Sequence, residues 1–186
     1  RGRQRLGEAC RRQRRAERIN PIMANPILSI GQWLGHLFGI SQIGLRFTDE
    51  ESQAIVDAIA EAERTTSAEI RVHISHKYKG HDIVKAAETV FQNLGMHQTQ
   101  ERNGILIFMV PKKRQFAIFG DAGINVKMQP SDWDEIRDRM QQQFQAKQFA
   151  DGVIQGISDI GKILSIHFPP TSENPNELSN QLSTDA

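Results

Sequence analysis

The chain has 186 residues, of which 38% are hydrophobic and 24% charged, a composition that fits one folded domain with tails and excludes an intrinsically disordered protein. The net charge of +1 conceals three unlike segments: residues 1–47 hold nine Arg against two Glu, residues 48–168 are at −3, and residues 169–186 have three acids and no base. The basic character therefore belongs to the N-terminal arm, which argues against a nucleic-acid-binding domain surface. Cys10 is the only cysteine, so no intrachain disulfide exists and a cytoplasmic setting is expected.

Residues 1–22 are Arg-rich and Lys-free, while the first Lys is at position 77. Two readings stand side by side: a non-native or flexible extension ahead of Met23, or a basic arm for an anionic surface. The stretch that follows, to residue 40, is apolar but broken by Gly31, Gly35 and Gly39. Its Ile27, Ile30, Leu34, Leu37 and Phe38 recur at helical spacing. That allows peripheral membrane contact through residues 1–40. A strand-less arm packed on its own domain is the plainer expectation. No apolar run is long enough for a transmembrane helix.

The domain is expected over residues 48–168. Thr48 and Glu51 form a capping box for a helix striped by Ile55, Val56, Ile59 and Ala62. Residues 68–75 alternate, with Ile70, Val72 and Ile74 on one face of a strand. Asp82 caps a second helix, which ends at Gly95. Residues 105–110 and 115–120 are apolar on both faces and are joined by Pro111-Lys-Lys-Arg114, which predicts an antiparallel hairpin covered from both sides. Ser131 opens a further helix with Trp133, Ile136, Met140 and Phe144 inward. A last helix runs from Phe149 to the Pro169-Pro170 stop. Residues 169–186 are expected to form a disordered acidic tail. The order α-β-α-β-β-α-α predicts an α/β fold, a three-layer α/β/α sandwich whose mixed sheet is centred on the hairpin.

Candidate site residues flank the hairpin. Asp121 and Asn125, in the Gly120-x-x-Gly123 turn, are hard-oxygen candidates for a divalent cation, and Asp121 is the catalytic candidate. Arg102 and Asn103, just before the central strand, are candidate anion ligands. Gly104, Gly120 and Gly123 are read as turn glycines needed for positive φ. His73, His76 and His81 are read as surface histidines, since a strand directs positions three apart to opposite faces.

The segments Glu69-Ile-Arg-Val-His-Ile74, Arg102-Asn-Gly-Ile-Leu-Ile107 and Phe116-Ala-Ile-Phe-Gly-Asp-Ala-Gly-Ile-Asn125, together with Arg114 and Phe149-x-x-Gly152, resemble the TPM domain family over the whole compact part. Among its members the chain is most similar to small unanchored bacterial proteins whose tail also has Asn-Glu-Leu, here Asn176-Glu177-Leu178. The resemblance implies an α/β/α sandwich of Rossmann-like outline. It also implies one of two activities: an interaction or assembly-factor role with a protein partner, or a weak acid-phosphatase-like hydrolysis of phosphate esters, assisted by Ca²⁺ or another divalent cation.

Overall fold

The computed structural model describes residues 28–32, 46–171 and 176–185. Among the described residues, five strands form one mixed sheet: β1 (Leu28–Gln32), β2 (Glu69–Ile74), β3 (Gly104–Val110), β4 (Gln115–Gly120) and β5 (Ser183–Thr184), in the order β1-β4-β3-β2-β5. The hairpin β3–β4 is antiparallel and central, as its two-sided hydrophobicity requires, with Ile105 opposite Gly120 and Val110 opposite Gln115. β2 runs parallel to β3, which places Glu69 and Gly104 at one end of the sheet and Ile74 and Met109 towards the other.

Helices cover both faces. Ile70, Val72, Ile105, Ile107, Met109, Phe116 and Ile118 face a layer made of α1 (Asp49–Glu63), α3 (Ala122–Lys127), α4 (Pro130–Gln145) and α5 (Phe149–His167). Leu106, Phe108, Val110, Ala117 and Phe119 face α2 (Ile83–Asn93) and Met96. All seven residues of β3 are buried. The three-layer sandwich follows from that one strand, because neither of its faces can be left to water.

The helix ends obey their local chemistry. Thr48 accepts from the Glu51 amide while the Glu51 carboxylate accepts from the Thr48 amide. Asp82 accepts from the Lys85 amide, and Gly95 is left-handed at φ 71°. α4 begins at Pro130, whose missing N–H is harmless at a first helical position, and not at Ser131. Three elements exceed the expected order: α3, β1 and β5. The Gly120–Asn125 turn is a short helix, α3, capped by Asp121, and part of the N-terminal arm is a strand. β1 pairs antiparallel with β4 from Leu28–Phe119 to Gln32–Gln115, covering an edge whose amides and carbonyls would otherwise be open. Neither a strand-less arm nor a continuous helix over residues 27–38 survives this pairing; the rest of the arm lies outside the described residues.

The expected disordered tail is also corrected over residues 176–185, which form a strap around the β2 edge. Leu178 packs on the α2 face and Leu182 on the α1 face. The Glu177 and Leu178 amides donate to Glu69 at 3.1 and 3.2 Å, and Asn180 donates to Glu63 at 2.7 Å. Polar composition misleads here because the strap is held by hydrogen bonds to buried carboxylates, which composition does not register.

Candidate functional site

All four candidate ligands gather at the end of the sheet where β2 and β3 begin and β4 ends. Asp121 is 5% exposed, and both of its oxygens are engaged. One accepts from Arg102 Nε at 2.7 Å; the other accepts from Arg102 Nη2 at 2.8 Å and from the Ala122 amide at 2.7 Å. This is a bidentate fork combined with a helix cap. Donating to the Asp121 carboxylate raises the Arg102 pKa above its already high ordinary value. Asn103 donates to the Ser67 carbonyl at 2.8 Å and to Glu101 at 3.2 Å, while Asn125 donates to the Gly120 carbonyl at 2.8 Å. The two asparagine Oδ1 atoms are buried without a partner. Ser67 donates to Glu101 at 2.6 Å, and the Thr66 hydroxyl donates to the Phe168 carbonyl at 2.6 Å. These bonds tie together the loops before β2 and β3, the turn after β4 and the end of α5.

The turn glycines act through close approach and not through positive φ. Gly104, Gly120 and Gly123 are absent from the positive-φ residues, whereas Arg102 is there at φ 53°. A Cβ on Gly123 would lie 2.4 Å from the Glu101 carbonyl oxygen and 2.7 Å from that of Arg102. The Gly123 amide donates to the Arg102 carbonyl at 2.9 Å, so α3 backs directly onto the loop. Sequence spacing alone cannot distinguish a glycine needed for space from one needed for a turn.

The opposite end, where the parallel strands finish, is where open α/β sheets usually take ligands. Sequence reasoning left it unmarked. There the Asp185 carboxylate accepts from Ser75 Oγ at 2.5 Å, from the His76 amide at 2.6 Å and, more weakly, from the Lys77 amide at 3.4 Å. Burial pushes the Asp185 pKa up, but these donors outweigh it and hold the group below its ordinary value. Asp185 separates two grooves. One, of about 790 Å³, is lined by Arg46, Asp49, His76, Lys77 and Lys112 among others. The other is lined by Tyr78, Lys79, His81, Asp82 and Lys85 among others. Serine and two basic residues in Ser75-His-Lys77 were the available signal, but the carboxylate that unites them is 108 positions or more away.

The histidines divide. His81 is exposed and His76 half-buried, but His73 is 7% exposed, so the surface reading is wrong for it. It stacks on Phe108 at 5.8 Å, with Nδ1 2.9 Å from Ser183 Oγ. The strap covers a strand face that alternation assigns to solvent. Burial lowers its pKa, although Asp185 pulls the other way. Among the described residues no three His, Cys, Asp or Glu side chains gather as a metal site, and no helix is long and apolar enough to cross a membrane.

A family model described as the TPM domain matches residues 45–163, which is most of the chain and includes β2, β3 and β4. The chain belongs to the TPM domain family. The TPM fold is also that of the BA42 protein from the psychrophilic bacterium Bizionia argentinensis, solved by NMR. The two are 39% identical with a TM-score of 0.72, over 78% of this chain and 99% of that one. The N-terminal domain of the cg2496 protein from Corynebacterium glutamicum shares the fold alone, at 15% identity and TM-score 0.52, over 70% of this chain and 86% of that one. No curated protein matches the chain in sequence.

Glu63 makes the TPM domain sensitive to pH. Burial pushes its pKa from an ordinary 4.5 up to about 7, with the Ile70 amide working against and the Glu69 charge adding to the rise. Across that window the folded state holds a proton that the unfolded chain has released, so stability falls as pH rises. His73, with its lowered pKa, has the opposite sign below pH 6.5, so the effect is read as a difference between two proteins. Glu63→Gln keeps an acceptor for the Ile70 amide, bound now at 2.9 Å. Between pH 5 and 8 the unsubstituted chain is expected to lose about 1–2 kcal/mol relative to this variant, after discounting for partial exposure. Melting curves over that range test it, and parallel pH profiles would dismiss the role given to Glu63.

Proposed function

We propose that this TPM domain is a non-enzymatic binding module, an interaction or assembly-factor domain that engages a protein partner in the cytoplasm. The observation that carries the reading is the state of Asp121. Its carboxylate is buried, paired through both oxygens with Arg102 and used to cap α3, so three protein donors already occupy it. A nucleophile, general base or cation ligand at that position would first have to break a bidentate ion pair.

The divalent cation that the family resemblance implies fits these residues poorly. The two orphaned amide oxygens of Asn103 and Asn125 are neutral, and the one buried carboxylate beside them is already balanced by a guanidinium. A hard cation favours sites rich in ionised oxygens. The grooves at the opposite end of the sheet supply what a binding module needs: concave surface and exposed basic side chains, beside the short β2–β5 ladder.

The test is turnover of a generic phosphate ester by the full chain between pH 4 and 8, with and without calcium, beside Asp121→Asn at a temperature where both are folded. Equal background hydrolysis by the two proteins is the expected result. Calcium-dependent or calcium-independent turnover that disappears in Asp121→Asn would replace the binding module with the phosphatase.

A further inference from the structure

The geometry points to a carboxylate-recognition site at Ser75, His76 and Lys77 that takes an extended acidic peptide from a protein partner as a parallel strand on β2. In this structure the site is filled in cis by Ser183–Asp185. The inference rests on the binding-module reading and gives that module its ligand class.

Three observations support it. First, a carboxylate already sits in the site, held by one hydroxyl and two successive backbone amides, an arrangement that selects an anion by its lone pairs and not by shape. Second, the existing β2–β5 ladder sets the peptide register. Ser183 pairs with His73 and Thr184 with Ile74, the smallest ladder in the sheet, so the pairing belongs to the backbone and any extended segment can reproduce it. Ser183 adds a side-chain contact by donating to the Val72 carbonyl at 3.3 Å. Third, the basic side chains exceed the needs of one aspartate. Arg46, Lys112 and His76 line the groove on one side of Asp185, and Lys79, His81 and Lys85 the groove on the other. Asp49 and Asp82 are the opposing acids in these two linings.

The remainder of the strap need not leave for exchange to occur. Asn176 to Leu182 is anchored separately, through Leu178, Leu182, Glu69 and Glu63, so the two-residue β5 and Asp185 form a contact of their own that can open without them. A partner strand carrying an acidic residue two positions after the one opposite His73 would repeat its contacts and reach the grooves that Asp185 now divides.

The experiment uses the full chain with Asp185→Ala and, as probe, a synthetic peptide of residues 176–186 added in trans, followed by the amide resonances of His76 and Lys77. Saturable shifts are expected, with affinity at least tenfold tighter than on the unsubstituted chain, whose own Asp185 competes. A peptide with alanine in place of its aspartate should lose at least tenfold, and adding Ser75→Ala to the protein should weaken the intact peptide. Absence of saturable shifts, equal binding of the two peptides, or inorganic phosphate binding as tightly as the peptide would each overturn the assignment. Asp121-dependent turnover in the phosphate-ester assay would instead remove the binding-module reading and leave this site to be judged on the titration alone.

Discussion

Phe144→Ala is expected to destabilise the protein by about 3–5 kcal/mol, the largest single loss anticipated for any side chain discussed above. Phe144 is 1% exposed and sits where α4, α5 and the sheet meet. Its ring is edge-on to Phe116 of β4 at 5.2 Å and stacked on Phe149 of α5 at 5.9 Å. Gly152 exists to admit it: a Cβ there would lie 2.6 Å from the Phe144 ring. Truncation therefore removes the transfer free energy of a phenyl group and leaves a cavity that rigid neighbours close only in part. Chemical denaturation followed by intrinsic fluorescence measures the loss. Phe144→Leu should lose less than half as much, because it refills most of the volume. The strap lies elsewhere, on α1 and β2, so the His76 and Lys77 amide resonances should not move in the folded variant. A loss below about 1 kcal/mol would mean that this junction is not the packing centre that its contacts describe.

The elements that were legible beforehand share a property: their signal is local. Thr48 and Glu51 are three residues apart, β3 announces itself by being apolar at every position, and Gly95 follows directly on the stripe of α2. The illegible parts are those made by distant residues. β1 and β5 have no strong strand pattern of their own and become strands through the backbone of β4 and β2. α3 has six residues, fewer than two turns, so no period can show itself. Arg102, Asn103, Asp121 and Asn125 were legible as polar residues flanking the hairpin, but the bonds that engage them were not. Ligand chemistry was inferred from residue types, and the partners that consume that chemistry lie up to 36 positions away. The polar face of β2 misled in the same way. Glu69 and His73 look solvated in the alternation, yet both are buried beneath a strap 108 and 110 positions further on.

Asp121→Ala provides the second large effect, and its size separates a structural fork from a functional carboxylate. The substitution removes two charge-assisted bonds to Arg102 and the cap on Ala122 in a residue that is 5% exposed. A cap contributes about 1 kcal/mol and charge-assisted bonds about 1.5–3, so a loss of roughly 2–4 kcal/mol is expected. It stays below the cost of stranding a fully buried charge, because the Arg102 side chain is half exposed and can turn to water. Arg102→Ala alone should cost about 1–2 kcal/mol. It leaves the Asp121 cap in place, but with a buried carboxylate deprived of its counter-ion. The double variant should then be little worse than Asp121→Ala, giving a coupling energy of about 1–2 kcal/mol in a cycle measured by denaturation. Asp121→Asn retains an oxygen for the Ala122 amide and should fall between the single variant and the unsubstituted chain. A coupling near zero, with both single losses small, would mean that the carboxylate is not committed to Arg102 in solution. It would then be free for the ligand chemistry that its position first suggested.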